Sequence, residues 1–261
     1  MSALARFDLP PAEAIRFFRR KGLRTSFAWQ DLWKEEHEIG FTVAKMADLD
    51  LLSDVRDAVD QALAEGTTLR QFKELLIPKM VRAGWWGEQE QVDPQTGRKQ
   101  LVQLGSPRRL DTIFLTNMGQ AYSAGEWSQI EEAANDAPYL MYDAVDDNRT
   151  REQHRAWDGT VLLVSDPWWD THRPLNGYRC RCSTIQLSAR DLRAMGRSGP
   201  DQAPPIKRRE WLNKRTGEVM QIPLGIDPGF DYNPGAKAGE RKQRLDAMLD
   251  EKRQALRGDA P

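Results

Sequence analysis

No proline interrupts the chain between Pro107 and Ala134, and Leu110, Ile113, Phe114, Tyr122 and Trp127 recur there near helical spacing. The stretch predicts one long helix, opened by Pro107, that the fold must accommodate. Gly119, Ala121, Ala124 and Gly125 lie along it. Small side chains let a second element approach closely, although each glycine lowers helix propensity. The two cysteines, Cys180 and Cys182, are one residue apart and cannot staple distant segments. A disulfide scaffold is therefore excluded, and a reducing compartment fits.

The 261 residues suffice for one large domain or two modest ones. Lys and Arg total 38 against 39 Asp and Glu, a formal net charge of −1, which excludes a whole-chain basic footprint for nucleic acid. Charged residues make up 30% of the chain and mean hydropathy is −0.69, which predicts exposed helices, arms or tails rather than one thick globule. Uncharged runs fall far short of a membrane span, and the first residues lack the apolar stretch of a signal peptide. A soluble chain made in a cytoplasm, with no membrane partner, is expected.

The segment before the long helix reads as helical. Pro10 and Pro11 open a first helix with Ile15 and Phe18. A second is expected from Trp29 to Met46, on the spacing of Leu32, Trp33, Glu36, Ile39 and Val43. A third runs from Leu49 to Ala64 and stops at Gly66; a fourth, capped by Thr67 or Thr68, contains Pro78, which should kink or divide it. Asp93-Pro94-Gln95-Thr96-Gly97 turns a hairpin before the long helix. Beyond it, Tyr139–Ala144, Val161–Val164 and Ser183–Leu187 predict short strands, with a polar helix from Asn148 to Ala156 and a short one after Ser188. Gly196–Pro205 is a linker by composition, Glu210–Ile222 a hairpin, Pro223–Gly239 a Gly/Pro-rich stretch, and Gly239–Leu256 a charged helix. The fold class is α+β: a helical docking region (1–90), a hairpin and long helix (91–135), a small α/β core (136–195), and a linker, hairpin and charged helix forming an extended C-terminal arm (196–261).

The chemistry-bearing residues concentrate between Asp143 and Cys182. His154, Cys180 and Cys182, with His172 as a fourth, could ligate zinc, but a Cys-x-Cys pair matches the usual zinc spacing poorly. His154 amid Asp146, Asp147 and Glu152 could be a general acid or base, with Arg149 and Arg151 on a phosphate; no glycine-rich phosphate loop or nucleophile elbow accompanies them. A histidine bonded to a carboxylate or backbone carbonyl explains the residue more simply. Arg149, Arg151, Arg155, Arg173, Arg179 and Arg181 could grip nucleic-acid phosphates, yet six Arg are balanced by six carboxylates between Asp146 and Cys182, as internal ion pairs would require. Cys180 and Cys182 are expected to face one side of a strand edge, and Trp157, Trp168 and Trp169 to be core and lid packing.

The composite pattern resembles the phage Mu protein F-like family of head-morphogenesis or minor head proteins. Its elements here are Asp146 to His154, Asp158-Gly159, Trp168-Trp169, and Pro174-Leu175-Asn176-Gly177-Tyr178-Arg179-Cys180-Arg181-Cys182. Thr112–Asn117, Ala121–Gly125, Pro11–Ile15 and Gly225–Gly235 are similar as well. The resemblance implies a non-enzymatic minor structural protein of a tailed-phage head. Its expected partners are the portal protein and the major capsid or scaffold protein, with contact to packaged DNA. It would sit in the virion head, pass through the host cytoplasm during assembly, and could accompany the genome. The implied signature core is Asp147, Arg149, Arg151, His154, Asp158, Gly159, Asn176, Cys180, Arg181 and Cys182. Some members carry cysteines at the positions of Arg151 and His154; this chain's residues instead imply a hydrogen-bond network with no metal and no cofactor. Arg149, His154 and Arg181 are expected in a partly buried site. Two alternatives stand beside this reading: an enzyme acting on a phosphate-containing substrate through Asp147, Arg151 and His154, and a nucleic-acid-binding module using Arg16–Arg24 and Arg241–Arg257.

Overall fold

The structure, a computed structural model, describes residues 11–236. The expected charged helix at 239–256 and the basic tail Arg241–Arg257 lie outside the described residues. Within them the protein is α+β, with no barrel and no helix long and apolar enough to cross a membrane.

α1 (Ala12–Arg19) follows Pro11 and buries Ala14, Ile15, Phe17 and Phe18. β1 (Gly22–Leu23) pairs in parallel with β2 (Gly40–Phe41). The helix expected from Trp29 to Met46 does not form. Two 3₁₀ turns, Trp29–Asp31 and Lys34–Glu38, take its place. The Asp31 carboxylate accepts the backbone N–H of Phe27 and Ala28, and the Glu36 carboxylate accepts that of Trp33. Side chains that satisfy the backbone locally compete with helix propagation. Gly40 then passes under Leu32 and close to the Glu36 carbonyl, where a β-carbon would lie 3.2 Å from that oxygen.

α2 (Leu49–Glu65) begins at Asp48, whose carboxylate accepts from Asp50 and Leu51, and ends at Gly66 in the left-handed region. α3 (Leu69–Arg82) starts with a Thr68/Gln71 capping box and continues through Pro78, so the proline does not divide it. β3 (Glu88–Val92) and β4 (Lys99–Gln103) form the first hairpin. α4 (Pro107–Ala133) is the long helix, capped by Ser106.

β5 (Tyr139–Asp143) is the centre of a three-stranded antiparallel sheet, flanked by β6 (Val161–Leu163) and β7 (Ser183–Leu187). Tyr139 stands opposite both Leu163 and Leu187. α5 (Glu152–Trp157), α6 (Trp169–His172) and α7 (Ala189–Ala194) fill the connections. α5 starts four residues later than expected, because the Asp147 carboxylate accepts the Arg149 N–H and holds residues 147–150 as a turn. β8 (Arg208–Leu212) and β9 (Val219–Pro223) form the last hairpin.

Two apolar cores share α4. Leu110, Ile113, Phe114, Ala121 and Ala124 pack with Phe18, Phe41, Leu52, Val55, Phe72 and Leu76. Trp127 and Ile130 pack with Leu140, Tyr142, Trp157, Leu162, Trp168 and Trp169. The small residues of α4 admit the neighbours expected of them: the α1 backbone at Ala14 lies so near Gly125 that a β-carbon there would be 2.7 Å from the Ala14 nitrogen.

As far as residue 236 the C-terminal portion differs from an extended arm. Ile226 and Phe230 join the second core, and Asn233 is fully buried. The last hairpin is tied down by Arg215, which bonds Asp31 at 2.7 Å and Asp93 at 2.7 and 2.8 Å. Trp211 stacks on Trp33 with ring centroids 5.4 Å apart.

Candidate functional site

The α5 helix, the loop before β7 and the turn at residues 225–227 converge beside the Tyr142 end of β5. Tyr142 donates to Asn176 Oδ1 at 2.9 Å, and Asn176 Nδ2 donates to the carbonyls of His172 and Arg173. Both side chains are buried, so the loop around Asn176 is fixed from inside the core. Asp158 accepts the Ala144 N–H at 2.8 Å, and Gly159, in the left-handed region, donates to the Tyr142 carbonyl. The Asp-Gly pair thereby closes the turn from α5 back to the sheet.

Arg151 joins three segments. It donates to Asp227 at 2.8 Å and, at 3.4–3.5 Å, to the carbonyls of Asn176, Tyr178 and Gly225. Asp227 also accepts the Tyr178 N–H at 2.9 Å. Gly177 is required at this crossing, since a β-carbon would lie 2.6 Å from Arg151 Nη1. Arg181 makes a bidentate pair with Asp147, at 2.7 and 2.8 Å. This guanidinium, foremost among its contacts, holds the Asp147 carboxyl well below the usual carboxylate range.

His154 is 2% exposed and stacks on Trp157. Its Nε2 lies 2.9 Å from the Gly225 carbonyl. A carbonyl only accepts, so Nε2 carries the hydrogen, and in the neutral ring Nδ1 is left with a free lone pair. Nδ1 faces both thiols, Cys182 Sγ at 3.4 Å and Cys180 Sγ at 3.8 Å. The hydrogen bond from Cys180 holds the Cys182 thiol below its usual range, against the effect of burial. Cys180 is pushed up by its bond to Cys182 and by burial. Among the described residues, His154, Cys180 and Cys182 form a group able to hold a metal ion, their ligand atoms all within 4.8 Å of one another. His172 stays out of it. Its Nδ1 is bonded to Thr171, its ring stacks on Trp168, and burial pushes it down to about 4.

Asp147 and Arg181, Arg151 and Asn176, and His154 with both cysteines are thus brought together. Arg149 is not. Its guanidinium is 74% exposed and 3.6 Å from Asp147, so the expectation of a partly buried Arg149 is corrected: the turn made by its own backbone N–H leaves the side chain outside. Cys180 and Cys182 precede β7 instead of lying on a strand edge, yet both reach the same nitrogen. Of the arginines weighed as phosphate contacts, Arg149, Arg151, Arg155, Arg173 and Arg181 each face a carboxylate, and Arg173 is wholly buried against Ser123, Glu126 and Trp127. Of the basic N-terminal patch, Arg16 bonds Glu13, Arg19 bonds Asp60, and Lys21 is buried. Asp227, Gly225 and Tyr142 complete the site without having been singled out in sequence; the Gly225–Gly235 segment carried a signal only as part of the family resemblance.

A cavity of about 530 Å³ meets this cluster at Tyr178 and is otherwise lined by Trp29, Trp33, Lys45, Arg109 and Phe230 among others. Asp147, Arg151 and His154 do not line it.

These features define a small α/β core, clamped by Arg, Asp and His and completed by a Cys-Arg-Cys loop and a returning Gly/Pro-rich turn. A family profile described as phage Mu protein F like protein matches residues 53–185, and the chain belongs to that family. It is 36% identical over 260 residues to the putative capsid assembly protein F of Escherichia phage Mu, covering 95% of this chain and 59% of that protein. It is 33% identical over 229 residues to the Mu-like prophage FluMu F protein of Haemophilus influenzae, covering 83% of this chain and 54% of that one. The chain therefore spans somewhat more than half the length of these curated relatives. No solved structure matches it.

Proposed function

We propose that this protein acts in assembling the head of a tailed phage, as a non-enzymatic minor head protein at the portal and inner capsid. The observation that carries the reading is the likeness, over 95% of the chain, to a relative named a putative capsid assembly protein. The geometry supports it. The arginines that a phosphate-substrate enzyme would use are engaged with Asp147 and Asp227, and the His154 cluster does not line the cavity. The partners in this reading are the portal protein and a capsid or scaffold protein, met in the host cytoplasm, with the chain retained in the virion and travelling with the genome.

The test is co-expression of the tagged full chain with the portal protein encoded beside it, followed by nuclease treatment and purification. A stoichiometric complex that survives nuclease is expected. A chain that purifies alone, or a complex lost with the nucleic acid, would overturn the portal assignment and shift weight to the nucleic-acid-binding and enzyme alternatives.

A further inference from the structure

We infer that His154, Cys180 and Cys182 form a zinc site, with His154 Nδ1 and the two thiolates as protein ligands and a water in the fourth position. The inference is independent of the assembly role and rests on the geometry of this cluster.

Spacing is the first argument. Zinc takes sulfur at about 2.3 Å and imidazole nitrogen at about 2.0–2.1 Å in a tetrahedron, which sets bound sulfur and nitrogen about 3.6 Å apart. Nδ1 lies 3.4 Å from one sulfur and 3.8 Å from the other. A single thiol bonded to a histidine would need only one of these contacts. Here two sulfurs are held around one lone pair, although only Arg181 separates them in sequence and neither sits on a strand.

The second argument is the back of the ring. Metal-bound histidines almost always give their other N–H to a carboxylate or a carbonyl, which fixes the tautomer and aims the lone pair. His154 Nε2 does this to the Gly225 carbonyl at 2.9 Å. The ring is further immobilised by stacking on Trp157, with centroids 5.2 Å apart. Gly225 is in the left-handed region, and a β-carbon there would lie 2.6 Å from the Gln153 side chain; the backbone is shaped to place that carbonyl against α5.

The third argument is chemical. Zinc binds cysteine as thiolate, and both sulfurs here are gathered within reach of one imidazole nitrogen. Two sulfurs with one imidazole suit zinc over the harder divalent ions, which prefer oxygen. The rival use of the same atoms is a Cys182–His154 nucleophilic pair. That pair needs one sulfur at Nδ1, whereas two are held there. Bound zinc would join α5, the Cys-Arg-Cys loop and, through the Gly225 bond, the returning turn.

The full chain should be purified with neither chelator nor added metal and its metal content measured. It should then be stripped with chelator and titrated with cobalt(II). About one zinc per chain is expected, and cobalt should give the sulfur-to-metal charge-transfer absorption and the intense visible bands of a tetrahedral thiolate site. Cys180→Ser, Cys182→Ser and His154→Ala should each weaken binding by at least about 100-fold, whereas His172→Ala should bind as the wild type does. Circular dichroism establishes that each variant is folded, and if one is not, the wild-type titration decides alone. A folded wild type that takes up cobalt without sulfur charge transfer, or takes up none, overturns the site. So does Cys180→Ser binding as tightly as wild type. Rapid alkylation of Cys182 in a metal-free chain that zinc does not slow would assign the pair to nucleophilic chemistry instead.

Discussion

Arg151 donates to acceptors on two other segments, and one of them, the Asp227 carboxylate, also holds the Tyr178 N–H. Both side chains of the pair are about one-third exposed, at 35% and 29%, so solvent screens part of their attraction. The neighbouring carbonyls and the Tyr178 N–H are what make its loss costly. Asp227→Asn removes the charge while preserving the shape, and it should cost about 1–2 kcal/mol. Thermal unfolding would register that as a fall of several degrees. Arg149→Ala, in contrast, removes an exposed guanidinium whose backbone N–H does the structural work, and it should leave the melting temperature within about a degree of wild type. Equal falls for the two variants would contradict this ranking. Sequence spacing alone ranks them the other way, since Arg149 lies inside the signature and Asp227 far outside it. The tie to Asp227 crosses 76 positions, and no local pattern announces such a contact.

At the scale of elements, what was legible is what local chemistry dictates. Gly66 ends α2, Pro107 opens α4, and turn residues set both hairpins, because helix ends and positive backbone angles are local demands. Trp29–Met46 misled because its apolar spacing is helical while Asp31 and Glu36 satisfy the backbone before a helix can extend. Gly125 in α4 poses a sharper test. Replacing it by alanine removes about 1 kcal/mol of helix penalty. The new β-carbon would, however, meet the backbone of Ala14 at 2.7–3.2 Å, and backbone cannot turn aside as a long side chain can. Overpacking of this kind costs about 1–3 kcal/mol, so Gly125→Ala should destabilise on balance. Denaturant titration should show a lower midpoint with an unchanged slope. A higher midpoint would mean that α1 is not held against α4 as described.

At the scale of the whole molecule, α4 belongs to both cores, giving Phe114 and Ala121 to one and Trp127 and Ile130 to the other. A helix fraying at the junction would expose apolar surface on both sides at once. Neither core should therefore melt alone. Far-ultraviolet circular dichroism and tryptophan fluorescence, to which both cores contribute, should trace one coincident transition. Two separated transitions would show that the cores are coupled only by chain connectivity.

The crossing at Gly125 has a topological consequence. Ala14, near one limit of the described chain, and Gly235, near the other, rest on consecutive residues of α4, Gly125 and Ala124. The path leaves this turn of helix, builds both cores, and comes back to it. Ala14 and Gly235, far apart in the sequence, are thereby anchored on the same turn of one helix.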